Sequence, residues 1–466
     1  MHRSLSTFPT RLVARPWLLA FVPVNAATSA FGVALPLLIL ITYGGAWVDV
    51  ALAATLFNAA VILSSIGWGY LSDRYPSRRR LLLLNFVGFG GLFLLLARTT
   101  SLELLYVFYT LVGVLAPAGG NASNLLILEQ FTERERATAY ASFQEMSIIG
   151  SLGGLLLGYF WLTGREPLPP LLYVLGVLSI VSAVAVWVGV RDAARPASHA
   201  DVARHPESLV ARLRHSLPFH LALPFFPHHP RVSRQGWIRF RRWVKEEMHH
   251  ELPLILGATL LFNLSSNLFN ISYTPYLYSV GVGAAAIFLV NFANNFAQSF
   301  SFPASGNLSG RLGPDRLVVR STYLRAVGYL AVAGFTFAPV FGRGAFGLNV
   351  VAFGLLGAAI AFYSTSSSMI LFRALPGRDA GRILGLNSAL GGLAAVGGAA
   401  LSGVLSVFGS YRLTFLVSAG ALLASLPLWA AAYVAYQRRT KSSAVAERNL
   451  PPLPEIGRDA AAAKSG

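Results

Sequence analysis

The sequence predicts an all-α membrane protein: twelve transmembrane helices in two pseudo-symmetric six-helix bundles. Three observations carry this. Hydrophobic residues make up 55% of the 466-residue chain and charged residues 12%, and the mean hydropathy is +0.58, a make-up that suits lipid rather than water as the main solvent. A spanning helix needs about 20 apolar residues, and twelve such stretches follow one another, six on each side of a long polar insert. The third observation is a repeat. Gly69-Tyr70-Leu71-Ser72-Asp73-Arg74 returns in weaker form as Gly306-Asn307-Leu308-Ser309-Gly310-Arg311, 237 positions on, each copy placed in a short basic loop between two long apolar stretches.

Taken in order, the first six stretches are 17–43, 46–71, 81–98, 102–128, 138–163 and 168–190. The second six are 252–278, 282–304, 318–341, 345–371, 381–408 and 412–436. Gly and Pro inside them are tolerated in spanning helices, where small residues also let helices approach closely. The chain therefore divides into a cytoplasmic N-terminus (1–16), an N-terminal bundle (17–190), a cytoplasmic central loop (191–250), a C-terminal bundle (251–436) and a cytoplasmic tail (437–466). The tail, with Pro451, Pro452, Pro454 and Ala460 to Ala463, reads as disordered. Links such as Gly44 to Trp47 and Ser279 to Gly283 are too short for an extracellular domain.

A formal net charge of +18 raises the question of nucleic-acid binding, and the distribution of the basic residues answers it. With the N-terminus inside, all but four of the 37 Lys and Arg lie on the cytoplasmic side, the exceptions being Arg98, Arg165, Arg343 and Arg412. This is the positive-inside bias in strong form, so the basic residues report topology and contact with anionic lipid headgroups, and no nucleic-acid partner is expected. Both termini are then cytoplasmic in a multi-pass plasma-membrane protein, read as a monomer. The first apolar run is too long for a cleavable signal peptide, and no A-x-A-like site follows it. The lack of Cys excludes disulfides, thiolate metal sites and Cys catalysis.

The central loop holds eight of the nine His. Within it Trp237-Ile238-Arg239-Phe240-Arg241-Arg242-Trp243-Val244-Lys245 reads as a basic amphipathic helix lying on the inner leaflet. Metal or pH sensing by the His is the alternative, but no spacing there matches a metal site. Neither metal nor cofactor is expected.

Gly69-x-x-x-Asp73-Arg74-x-x-x-Arg78-Arg79-Arg80 between the second and third helices, the six-plus-six arrangement and the long central loop together resemble the major facilitator superfamily of secondary transporters, over roughly 17–436. The resemblance implies alternating access, with Gly69, Asp73, Arg74 and Arg78, and Gly306 and Arg311 of the second copy, acting as a gate. In physical terms Gly69 permits close helix approach, and Asp73 accepts hydrogen bonds from a helix N-terminus or pairs with an Arg. Anchoring of Arg79 and Arg80 to headgroups is the plainer role for those two. Gly310 stands where Asp73 would repeat, so the second latch is expected to be the weaker. Two departures from the family's patterns matter. The fourth helix lacks the Arg of many proton-coupled members, with Tyr109 near its place, and the fifth lacks the Gly-Pro pair of drug antiporters.

Ionisable residues inside spans default to functional candidates. Asp49, Glu103 and Glu251 lie near helix ends, whereas Glu145 sits about two turns into the fifth helix. Two readings of Glu145 stand side by side: proton coupling or substrate contact, favoured by a pKa that desolvation raises, and a structural carboxylate bonded to a neighbouring helix or to Arg325. Arg325, inside the ninth helix, reads as a side chain that snorkels to the interface.

Amides are more plentiful. Asn263, Asn267 and Asn270 form one stripe on the seventh helix, and Asn291, Asn294, Asn295 and Gln298 another on the eighth. Asn25, Asn58, Asn121, Asn124, Gln144 and Asn387 add to them, and the 237-residue offset places Asn58 onto Asn295. Such a lining, with Tyr273, Tyr276 and Trp68 nearby, offers donors and acceptors to a neutral polar or zwitterionic solute. Helix-to-helix hydrogen bonding is the alternative use of the same groups. The leading expectation is a secondary transporter, with protons as a possible partner. A facilitative uniporter or a drug or organic-ion exporter is the rival of the same fold, and a receptor or lipid scramblase on a transporter scaffold the rival of another class. No clustered His and carboxylates and no activated nucleophile point to an enzyme.

Overall fold

The computed structural model describes residues 16–74, 77–131, 133–164, 166–190, 251–336, 342–374, 380–408 and 410–448. The His-rich loop, the stretch 237–245 and residues 449–466 lie outside them. Twelve α-helices run through the described residues: α1 (Phe21–Leu37), α2 (Trp47–Arg74), α3 (Arg78–Arg98), α4 (Leu102–Gln130), α5 (Glu133–Thr163), α6 (Leu168–Gly189), α7 (Glu251–Ser279), α8 (Ala284–Leu312), α9 (Pro314–Phe335), α10 (Gly342–Ala374), α11 (Ala380–Val407) and α12 (Tyr411–Arg448). Ten of the segments are long and apolar enough to cross a membrane on their own. The other two are α8, diluted by its amides, and α9, which carries Arg316, Arg320 and Arg325. Arg325 of α9 is buried in the second bundle, while Arg316 and Arg320 nearer its start are exposed.

The repeat seen in the sequence governs the packing. In the first half α1 packs on α5 and α6, α2 on α4, and α3 on α4 and α6. In the second half α7 packs on α11 and α12, α8 on α10, and α9 on α10 and α12. Two principal contacts, α2 with α11 and α5 with α8, join the halves and are themselves related by the same shift of six helices.

The two copies of the motif are more helical than the sequence led us to expect. Residues through Arg74 belong to α2 and Arg78 already opens α3, with Ser77 Oγ accepting from Arg80 N–H at 3.4 Å. The second copy is not a loop at all. It forms the last turns of α8, which stops only where Gly313 takes φ +82 and Pro314 starts α9. Between Gly306 and Leu312 nothing forces a break, and glycine is tolerated in a spanning helix. We call the side of the bundle that carries these two turns the basic face.

At the basic face an ion pair joins the corresponding helices of each half. Arg78 at the start of α3 reaches Glu129 at the end of α4, Nε–Oε1 2.9 Å and Nη2–Oε1 2.8 Å. In the second half Asp315 at the start of α9 takes a two-pronged bond from Arg373 at the end of α10, at 2.7 and 2.8 Å. The repeat offset carries Arg78 onto Asp315, so the same joint is built twice with its charges exchanged. The C-terminal tail also departs from expectation: α12 continues twelve residues past 436, to Arg448. The run 437–448 contains neither Gly nor Pro. Arg439 pairs with Glu251 at 3.0 Å, and Arg373 lies over the Tyr436 ring at 3.6 Å.

Backbone contacts at glycine hold each bundle together. Gly154 of α5 lies against Ala26 O of α1, and Gly357 of α10 against Asn294 O of α8, with no space for a side chain at either. A methyl group added at Gly113 would stand 2.7 Å from Phe57 O, and one at Gly398 2.8 Å from Leu264 O. Gly153, one residue from Gly154, faces open space. Gly154→Leu is therefore expected to abolish the monodisperse folded protein, since overpacking costs several times what a lipid-facing change does, while Gly153→Leu leaves it intact. Size-exclusion profiles of the two variants check this, and equal profiles would refute it.

Candidate functional site

The halves meet most tightly at the face opposite the basic one. Trp47, at the first turn of α2 and 7% exposed, donates from Nε1 to Ser402 Oγ of α11 at 3.0 Å, and Ser402 Oγ lies 2.8 Å from Ser272 Oγ of α7. The Trp47 indole stacks on Tyr411 of α12 with centroids 4.2 Å apart. On the other flank the buried Phe288 of α8 fills the space beside Gly158 of α5. Nearby Tyr43 closes the α1–α2 link by donating to Thr99 O at 2.7 Å, and burial pushes its phenol up, so it stays a donor. Midway along α2 and α11, Gly392 faces Ile62. Towards the basic face Gly67 of α2 and Gly306 and Gly310 of α8 border open space, and Arg311 is exposed. Among the described residues, the side-chain contacts between the halves gather at the face opposite the basic one.

The amides fall into three sets. Asn25 donates to Phe21 O at 2.8 Å and to Ser147 Oγ of α5 at 3.3 Å, so it works as a tie between helices. Gln298 donates to Asn294 Oδ1 at 2.6 Å, and Asn294 donates to Phe353 O of α10 at 2.7 Å, so this edge of the α8 stripe is turned into its own bundle. Four further amides use one N–H to cap the preceding turn. Asn58 donates to Ala54 O, Asn267 to Asn263 O, Asn291 to Ile287 O and Asn295 to Asn291 O, at 2.8 to 3.2 Å. Each keeps its carbonyl oxygen and a second N–H for another partner.

Asn58 and Asn295, the pair related by the repeat, adopt the same local geometry on α2 and α8, the helices through which the halves touch. Helical spacing puts Asn291 and Asn295 on the side of α8 that carries Phe288, and Gln144 and Ser151 on the side of α5 that carries Gly158. Asn263 faces α11, its Nδ2 3.7 Å from where a methyl at Gly391 would lie, and Asn387 is one turn before that glycine. Asn270 and Gln144 are exposed. Asn121 and Asn124 sit within α4 and Gly69, Asp73 and Arg74 within α2, but their side chains lie outside the described residues.

Several sequence expectations are corrected. Tyr273 and Tyr276 are buried in the second bundle, Tyr273 Oη donating to Asn349 Oδ1 at 3.0 Å, and Trp68 Nε1 is turned to Val114 O of α4 at 2.6 Å. None of the three lines the seam as free donors do. Arg325 does not snorkel. It is 3% exposed, donates to Tyr329 Oη at 2.8 Å and Leu356 O at 3.4 Å, and lies 5.3 Å from the Phe262 and Tyr329 ring centroids. Glu145 is exposed and has no hydrogen bond or ion pair to a described residue, Arg325 included. It shares a stripe with Ile149 and Gly153, turned away from the α5 surfaces that meet α1 and α8. Sequence reasoning missed Trp47, Ser402 and Ser272 altogether, because each is a single residue outside any periodic pattern.

Comparisons with known proteins agree with this geometry. The model of the Major Facilitator Superfamily matches residues 17–242 and 255–463. The multidrug resistance protein MdtG of Escherichia coli O9:H4 (strain HS) is 23% identical over 377 residues, covering 81% of this chain and 82% of that protein. Its namesake from Salmonella paratyphi C (strain RKS4594) is 23% identical over 371 residues, 79% and 82% of the two chains. Among solved structures, the nucleoside transporter NupG superposes with a TM-score of 0.61 at 14% identity over 91% of this chain and 99% of that one. A D-xylose-proton symporter does so with 0.62 at 14% identity over 90% and 96%. With twelve helices in two pseudo-symmetric bundles and a family match along almost its whole length, the chain belongs to the Major Facilitator Superfamily and is a multi-pass membrane transport protein.

Proposed function

We propose that the protein is a secondary transporter that carries a small neutral polar or zwitterionic solute by alternating access, rocking residues 17–190 against 251–436. The basic face is cytoplasmic, both termini lie there, and the closed face with Trp47 is the outer one. The observation that carries the substrate class is the set of half-satisfied amides on the helices of the seam, above all the twinned Asn58 and Asn295. A cavity lined by amides recognises hydroxyl, amide and zwitterionic groups without demanding a net charge. The second reading, export of organic ions or drugs, is favoured by the multidrug-resistance name of the relatives that are 23% identical. Uptake and export assays in proteoliposomes, run over sugars, amino acids, nucleosides and organic cations, separate the two.

In that assay Asn267→Ala and Asn295→Ala are each expected to raise KM about tenfold, the loss of one or two hydrogen bonds to the solute, with protein yield unchanged. A parallel fall in yield and affinity would assign these amides to packing.

Coupling turns on Glu145. Glu145 is exposed on α5 and has no partner among the described residues, which supports it as the candidate coupling carboxylate. Glu145→Gln is expected to flatten the pH dependence of uptake; an unaltered pH profile would make the protein a facilitative uniporter or move coupling elsewhere.

Trp47 is the outer latch. Trp47→Phe keeps the stack on Tyr411 but removes the bond to Ser402, worth about 1 kcal/mol, so the outward-open population is expected to rise about fivefold. The chain has no Cys, so an Ala51→Cys reporter, placed where Ala51 now meets Gly403, reads this as a faster reaction with an impermeant maleimide. Unchanged labelling would show that the latch lies elsewhere.

A further inference from the structure

Arg79 and Trp187 form a pair that the transport cycle does not use. The Arg79 guanidinium lies 5.8 Å from the centroid of the Trp187 ring, at the corner where α3 begins and α6 ends, and Arg80 beside it is exposed. Trp187 is 61% exposed. From this corner a cleft of about 360 Å³ runs along the outer side of α6, lined by Val177, Ile180, Val181, Val184, Ala185 and Val188. These residues recur at helical spacing, and Trp187 continues their stripe. α6 packs mainly on α1 and α3, and no polar side chain lines the cleft.

The dimensions fit one acyl chain. Eleven steps from Val177 to Val188 at 1.5 Å each give about 16 Å, which matches the roughly 15 Å of one leaflet's hydrocarbon. At the end of that run stand two guanidinium groups and an indole, the combination that meets a phosphate-bearing headgroup at the membrane interface. The second bundle lacks it: the repeat offset replaces Arg80 by Leu317 and Trp187 by Ala424.

We infer that the α3–α6 corner is a binding site for an anionic phospholipid of the leaflet at the basic face, its acyl chain in the α6 cleft and its phosphate on Arg79 and Arg80. Zwitterionic lipid fills the same cleft without the charge contact and binds more weakly. The site belongs to one half only, so the bound lipid marks the N-terminal bundle.

Tryptophan quenching by brominated lipids in mixed vesicles tests this on the full chain. The Trp187 signal is the difference between the natural protein and Trp187→Phe, and the other seven of the eight Trp report that the fold is kept. Brominated phosphatidylglycerol is expected to quench this signal at about fivefold lower mole fraction than brominated phosphatidylcholine, and Arg79→Gln with Arg80→Gln to bring the ratio close to one. Arg316→Gln, at the equivalent corner of the other bundle, leaves the ratio unchanged. Equal quenching by the two lipids in the natural protein would overturn the proposal. So would an undiminished preference in the double variant, or displacement by free glycerol phosphate as effective as by the lipid.

Discussion

Helices in a bilayer are not pressed together by water, since lipid tails are as apolar as the side chains they would replace. What holds this protein together is therefore close van der Waals approach, and that approach happens where glycine removes the side chain. Gly154 on Ala26, Gly113 on Phe57, Gly398 on Leu264 and Gly357 on Asn294 bring backbone to backbone within each half. Between the halves the contacts are of another kind: an indole on a hydroxyl, a phenyl ring beside a glycine, a pair of stacked rings. The interior of each bundle is locked by contacts that tolerate no displacement, while the seam is held by a few that can be broken and remade. That difference suits the rigid-body rocking proposed above.

The second bundle has an additional spine. Trp429, Tyr363 and Phe262 stack towards Arg325, and beyond it Tyr329, Phe269, Tyr273, Tyr276 and Tyr411 continue to Trp47 of the other half. A charge this deep in a membrane protein is costly. Arg325 is accommodated by a phenol, a backbone carbonyl and two ring faces rather than by any described carboxylate. It fixes α7, α9 and α10 against one another.

Much of the fold was legible in the chain, because apolar length sets the number of spans and the 237-residue offset identifies the two bundles. The same offset pairs Arg78 with Asp315 but carries Glu129 onto Ser366 rather than Arg373, so only one side of the exchanged basic-face joint was visible in it. The candidate site was legible only as stripes. Periodicity tells which amides share a face of a helix, but not what that face meets. Hence Asn295 and Gln298, neighbours on α8, part company, one towards α5 and the other towards α10 by way of Asn294. Tyr273 and Tyr276 looked like cavity aromatics and are core, since nothing in a single helix distinguishes a ring that lines a gap from one that fills it. The motif turns were misjudged for a simpler reason, that lipid removes the penalty glycine carries in aqueous helices.

The exchanged charges at the two basic-face joints bear on how such a chain assembles. A protein made of two similar bundles threads into the membrane with every helix accompanied by a near twin, and the glycine contacts alone do not tell twins apart. Were α9 to settle beside α4, Asp315 would meet Glu129; were α3 to settle beside α10, Arg78 would meet Arg373. Both mistakes bring like charges together in a poorly hydrated place, whereas the correct pairings bring opposite ones. The sign change thus favours each half's own pairing over either exchange of twins.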